Sequence, residues 1–227
     1  MRAAGFQSLS LLDFPGRPCS IIFTQGCVFR CPYCHNPELI PKGEGLYSEE
    51  EILKRLRRHK KTVSAICITG SEPTLQSDLP SFLRTLKAEG FAIKLDTNGV
   101  HPRLVNELIH ERLVDYFAMD LKHVWEKYGD ATGVRVSQII ENCRKSFELI
   151  QESGIEHEFR TTIFPGKHDL EDFVAMAGYL RPRETYAVQS FHDGKTLVPN
   201  IPKATFDAET VIEMLRPKFP KLILLAR

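Results

Sequence analysis

Cys27, Cys31 and Cys34 stand at the spacing C-x3-C-x2-C, three thiols within eight residues of a chain that holds six cysteines in all. Thiolates are soft ligands suited to iron–sulfur clusters and to zinc, and three on one loop can wrap a single metal centre. Six cysteines scattered at random over 227 residues would give this spacing with a chance of about 0.004, so a metal is the default reading. A structural zinc site closes with four ligands and a four-iron cluster normally takes four cysteines. Three thiolates therefore suggest a centre left open at one corner for a further ligand. The alternatives are a zinc knuckle with His35 as fourth ligand, or a chance cluster. Cys19, Cys67 and Cys143 lie apart, in apolar or helical contexts, and read as reduced core cysteines in a reducing compartment.

A loop of ligands needs rigid elements to aim it. At 227 residues, 42% hydrophobic and 26% charged, the chain has material for one substantial core, and a single domain over residues 1–227 is expected. Its net charge of +1 gives no basic footprint for nucleic acid and no general attraction to an acidic membrane. The stretch Met1 to Asp13 lacks a cationic segment followed by a long apolar one, and no run approaches the ~20 apolar residues that span a bilayer. A soluble, cytoplasmic protein is expected, with no nucleic-acid or membrane partner.

The pattern along the chain is strand then helix, repeated. After the turn signal Pro15-Gly16, Cys19 to Thr24 reads as strand one and leads into the cysteine loop. Ser48 with Glu51 forms a capping box ahead of a basic amphipathic helix, whose Lys-Arg cluster reads as a solvated face. Val63 to Thr69, Phe91 to Leu95, Val114 to Met119, Glu156 to Thr162 and Thr185 to Gln189 read as five further strands. Helices follow them over about 79–89, 102–110, 137–152, 169–180 and 207–215. Leu222 to Leu225 reads as a closing or edge strand. Such alternation predicts an α/β fold with parallel strands, either a barrel or an open wound sheet, and six units fall short of the eight of a full barrel.

In parallel α/β folds ligands sit at the carboxyl ends of strands. The residues found there form a set: the cysteine loop, then Gly70-Ser71-Glu72-Pro73, then Asp96-Thr97-Asn98-Gly99. Asp120 and Lys122 follow, with Arg160-Thr161-Thr162 and Ser190-Phe191-His192 after them. Alone, Asn98-Gly99 is a turn signal, Asp120 a helix cap and His192 a surface residue. Together they place charged and polar groups from six strand ends on one rim, which suits a charged cofactor.

The cysteine run, with Tyr33 ahead of its last cysteine, resembles the radical S-adenosylmethionine (SAM) family. Asp13-Phe14-Pro15-Gly16, Phe23-Thr24-Gln25-Gly26-Cys27 and Tyr33-Cys34-His35-Asn36 are similar to the activating enzymes of glycyl radical enzymes. Lys94 to Gly99, Ala118 to Lys122 and Glu158 to Thr162 look most like the anaerobic ribonucleoside-triphosphate reductase activating group, and the likeness runs from Ser10 to His192. The resemblance implies an incomplete (βα)6 partial TIM-type barrel, open on the side where a protein substrate inserts a loop. It implies a 4Fe-4S cluster on Cys27, Cys31 and Cys34, and SAM as the ligand of the open iron, with the segment around Tyr33 at the adenine. By the same token Gly70 to Pro73 holds the methionyl amino group through its backbone. Asp96, Thr97 and Asp120 match positions around a monovalent cation beside the SAM carboxylate, and Asn98 and Arg160 belong to motifs that border the cofactor. Lys122 and His192 match polar SAM contacts.

Ser71 departs from the family pattern, which has glycine there. If the position needs positive φ or a close backbone approach to SAM, its Cβ would cost about 1 kcal/mol or more and weaken SAM binding. The activity implied is one-electron cleavage of SAM to a 5′-deoxyadenosyl radical that takes a hydrogen atom from a glycine of a partner enzyme, most closely anaerobic ribonucleotide reductase. A flavodoxin- or ferredoxin-type donor supplies the electron, and no acid or base side chain is called for. The rival enzyme reading is a radical SAM protein acting on a small molecule, and the rival from another class is a zinc-binding module.

Overall fold

Apolar runs separated by turn signals form the strands of one sheet in the computed structural model, which describes Met1 and residues 3–227. In chain order the elements are β1 (Gly5–Ser10), β2 (Cys19–Thr24), α1 (Glu49–His59), β3 (Ala65–Gly70), α2 (Leu79–Ala88), β4 (Ala92–Thr97), α3 (Pro102–His110) and β5 (Tyr116–Asp120). After these come α4 (Tyr128–Thr132), α5 (Ser137–Glu152), β6 (Glu156–Thr162), α6 (Leu170–Ala177), β7 (Thr185–Gln189), α7 (Ala208–Lys218) and β8 (Ile223–Ala226). The eight strands pair in sequence order, β2 through β8 in parallel and β1 antiparallel to β2. β1 and β8 are the two ends of the sheet, so the barrel is not closed.

Strands buried on both faces read as continuous apolar runs rather than alternating ones. Along β2 and β3, Ile22, Ile66 and Ile68 belong to the large core under the helices. Their neighbours Ile21, Ala65 and Cys67 join Phe14, Cys19, Tyr116 and Ala118 in a smaller core on the other face. The two cores follow from the two-residue period of a strand. α1 begins with the expected capping box, Ser48 Oγ accepting from Glu51 N at 3.3 Å and Ser48 N donating to Glu51 Oε2 at 2.8 Å. It buries Ile52 and Leu56, while Arg57 turns outward to Glu89. The basic cluster is a solvated face, as its spacing predicts.

Two elements depart from the sequence reading. β1 precedes the expected first strand and is antiparallel, so the sheet is not wholly parallel. α4, a five-residue helix between β5 and α5, has no counterpart in the periodicity. The last apolar run is an edge strand, paired with β7 alone. α7 also continues through Pro217 to Lys218, because a proline in the final turn costs less than one in mid-helix.

Candidate active site

The cysteine loop leaves β2 and is held from several sides. Gly26 N donates to Leu39 O at 2.8 Å and Cys27 N to Ile40 O at 3.0 Å. Arg30 N donates to Thr132 O at 2.8 Å, at the end of α4. From the segment after β7, Leu197 N reaches Cys34 O at 3.1 Å and Val198 N reaches Pro32 O at 2.9 Å. Two buried rings anchor the loop: Phe29 lies edge-on to Tyr128 at 6.5 Å, and Tyr33 stacks on Phe164 at 4.5 Å. The three cysteines are free thiols, and with Tyr33 and His35 they line a cavity of roughly 190 Å³. Burial pushes the Cys31 thiol up to about 12 and raises that of Cys27. Without metal both are neutral at pH 7, and loading them with metal releases protons.

Gly70, Ser71, Asn98, Asp120, Lys122 and Thr162 complete the wall, so the ends of β3, β4, β5 and β6 meet the loop that follows β2. Gly70 has φ +104°, and a Cβ there would lie 2.6 Å from Thr24 N and 2.7 Å from Thr24 O. Only glycine lets β3 end against β2 in this way. Among the described residues, non-glycine positive φ occurs at Arg112, Arg183 and Asn200, and so not at Ser71. The expectation of left-handed backbone strain at Ser71 is therefore corrected. The left-handed backbone falls one residue earlier, and Ser71 N donates to Thr24 O at 3.2 Å.

Glu72 is fully buried and does not line the cavity. Its Oε1 accepts from Thr74 N at 3.0 Å, Thr74 Oγ1 at 2.5 Å and Thr97 Oγ1 at 2.7 Å, and its Oε2 accepts from Asn98 N at 2.7 Å. Burial raises its carboxyl, against the pull of these four donors. Glu72 thus ties the turn after β3 to the turn after β4.

Under the cavity runs a chain of charges, Lys94–Asp96–Arg160–Asp120–Lys122. Arg160 Nη1 donates to Asp96 Oδ2 at 3.0 Å, and its Nη2 and Nε donate to Asp120 Oδ1 at 2.9 and 3.1 Å. Lys122 Nζ donates to Asp120 Oδ2 at 2.9 Å, Thr69 Oγ1 to Asp96 Oδ2 at 3.0 Å, and Lys94 pairs with Asp96. Burial opposes ionisation of Asp96, but Arg160 and Lys94 outweigh it and hold the carboxyl down at about 2. Burial likewise disfavours the charge on Lys122, which Asp120 more than restores. Three cations against two carboxylates leave one excess positive charge beside the cavity, suited to an anionic group. Both carboxylates that the resemblance assigns to a monovalent cation are engaged by these side chains.

Asp96, Thr97 and Arg160 stand behind the wall rather than on it. His192 enters through its backbone alone: its side chain is exposed, and its carbonyl accepts from His35 Nε2 at 2.9 Å. Sequence reasoning missed Phe164 and the Thr132–Gly133 end of α4. Phe164 lies two residues past the end of β6, where a longer look beyond Thr162 finds it. α4 gives no periodic signal.

An open, mostly parallel α/β sheet with three thiols on the loop after its first parallel strand defines a class of metal enzyme. The model of the Radical SAM superfamily matches residues 21–180, and the chain belongs to that superfamily and, within it, to the activating enzymes of glycyl radical enzymes. The "Putative glycyl-radical enzyme activating enzyme MJ1227" of Methanocaldococcus jannaschii is 34% identical over 209 residues, covering 91% of this chain and 82% of that protein. The pyruvate formate-lyase-activating enzyme of Staphylococcus epidermidis is 28% identical over 201 residues, 82% of this chain and 79% of that one. Streptococcus suis SuiB bound to S-adenosylmethionine shares the fold at a TM-score of 0.72 with 15% identity; it is matched over 91% of this chain, which spans 49% of SuiB. The family uses a 4Fe-4S cluster and SAM, and a loop of three free thiols facing one cavity suits a cluster with an open iron. This membership replaces the zinc alternative. Among the described residues no helix is long and apolar enough to cross a membrane.

Proposed function

We propose that this chain installs a glycyl radical on an anaerobic ribonucleoside-triphosphate reductase, with Cys27, Cys31 and Cys34 as the cluster ligands. The observation that supports the reading is that the three thiols and the polar ends of β3 to β6 line one cavity, in a chain 34% identical to a protein named for glycyl-radical enzyme activation. When bound, the reduced cluster supplies the electron that cleaves SAM, and the resulting radical takes a hydrogen atom from a glycine of the partner.

The chain's own residues bind and orient. The backbone of Gly70 and Ser71 holds the methionyl amino group, Lys122 meets the carboxylate, and Tyr33 borders the adenine. Asn98 and Asp120 border these groups on the wall, Asp96 and Arg160 brace them from behind, and Thr97 and Glu72 clamp the turn after β4. Residues 1–227 act as a single domain. A flavodoxin- or ferredoxin-type protein supplies the electron, and the open side of the sheet admits the partner's glycine loop to the ~3–3.5 Å that hydrogen transfer needs.

The test uses the reduced protein, SAM and an anaerobic ribonucleotide reductase whose glycines carry deuterium. A glycyl radical in the electron paramagnetic resonance spectrum, with deuterium in the 5′-deoxyadenosine, is the expected result. SAM cleavage with neither signal for any glycyl radical enzyme, and label exchanged with a small metabolite instead, overturns the reading.

A further inference from the structure

Both hydrogen bonds that reach a sulfur of the cysteine loop, among the described residues, end on Cys27. Phe29 N approaches Cys27 Sγ at 3.4 Å, and the side-chain amide of Asn98 approaches it at 3.6 Å. The orientation of that amide is fixed by the bonds around it. Asn98 Oδ1 accepts from Val100 N at 3.0 Å, as in an Asx turn, which leaves Nδ2 facing the sulfur. Asn98 N in turn donates to the buried Glu72 carboxylate at 2.7 Å, and Thr97 Oγ1 donates to the same carboxylate. Asn98 is 5% exposed, so water does not compete for its donor.

We propose that Asn98 sets the reduction potential of the cluster by donating a hydrogen bond to the sulfur of Cys27, and that Glu72 holds it in place to do so. This rests on Cys27 being a cluster ligand. An N–H aimed at a ligand sulfur stabilises the extra negative charge of the reduced cluster more than the smaller charge of the oxidised one, which raises the potential. With Asn98 buried, its donor is little diluted by solvent. The benefit is to the electron donor, which then works against a smaller gap. Phe29 N supplies a backbone donor that no side-chain change removes, so the Asn98 share is a part of the whole. Cys31 and Cys34 receive no comparable donor among the described residues, so the three ligands are electronically unequal.

The test is a redox titration of the reconstituted protein without SAM, followed by electron paramagnetic resonance, on the parent and on Asn98→Leu and Asn98→Ser. Leucine keeps the volume and removes the donor. Serine keeps an acceptor for Val100 N but is too short to reach Cys27 Sγ. Both variants should titrate at a lower midpoint potential than the parent, and thermal unfolding of Asn98→Ser should stay close to the parent's. Midpoints equal to the parent in both variants overturn the proposal. So does a fall in Asn98→Leu alone, which would assign the effect to the turn rather than to the donor. Cys27→Ala separates the two levels: about four irons per chain in that variant removes the ligand and the inference with it. Lost iron there with unmoved potentials in the Asn98 variants removes this inference alone.

Discussion

Gly70 and Ser71 divide what a pair of glycines would share. Gly70 carries the positive φ and the close approach to Thr24, and Ser71 carries ordinary backbone. Gly70→Ala combines left-handed strain with a Cβ driven into the backbone of β2, and it should cost at least about 2 kcal/mol in urea unfolding of the metal-free chain. Ser71→Gly relieves no left-handed backbone strain, so SAM affinity in an anaerobic titration should change by less than about twofold; a tenfold gain would mean that the serine Cβ crowds the bound SAM. Glu72→Gln turns one acceptor into a donor facing Asn98 N or the two threonine hydroxyls, and it should destabilise by about 1–3 kcal/mol, read by the same unfolding. At this scale residue types were legible and residue jobs only partly so. Three cysteines at a metal spacing announce themselves. That Glu72 is a strut, or that His192 offers only its carbonyl, depends on which way a side chain points after a turn, and no spacing rule encodes that.

The elements that hold the site differ in how plainly the sequence writes them. β2, β3, β4, β5 and β7 and the helices after them follow from apolar runs, because strands buried on two faces leave a hydrophobic signature, whereas β6 is mostly polar and β8 is a half-exposed edge. β1 leaves no such signature: Gly5 to Ser10 exposes Gln7, Ser8 and Leu9, as an edge strand with one partner can. α4 is shorter than two helical turns, so the 3.6-residue period has no room to show. Yet it bears directly on the cysteine loop. Gly133, its left-handed cap at φ +68°, would place a Cβ 2.6 Å from Arg30 O. Gly133→Ala should therefore displace the loop between Cys27 and Cys31. The expected result is reduced iron per chain after reconstitution, with far-UV circular dichroism unchanged. Full iron content would show that the loop tolerates the shift.

Across the whole molecule, the βα units turn their strand ends to one side, and what joins the loops there is a polar core behind the cavity. His168 sits between β5, β6 and α6: its Nε2 donates to Lys122 O at 3.0 Å and its Nδ1 accepts from Phe164 N at 3.0 Å. It thereby links the loop of Lys122 to the ring that stacks on Tyr33. The charged and titratable groups around it are His123, whose ring lies 4.4 Å away, Asp172, Lys127 and Lys122. Burial holds the His168 imidazolium pKa down at about 3, and burial lowers His123 as well. A base whose folded pKa is depressed contributes stability above its unfolded pKa of about 6.5 and loses it as pH falls, because the unfolded chain takes a proton that the folded chain refuses. His157, burial notwithstanding, is raised by Glu184 and acts oppositely, so that its contribution is lost as pH rises. Between pH 7 and pH 4 the His168 contribution falls by about 3 kcal/mol at one proton per site. His168→Asn keeps an acceptor for Phe164 N and removes the titrating ring. The variant should be less stable than the parent at pH 7, and its stability should decline less between pH 7 and pH 4, in urea unfolding of the metal-free chain. Parallel declines would mean that His168 is protonated in the folded protein, and the acid sensitivity would then belong to other groups.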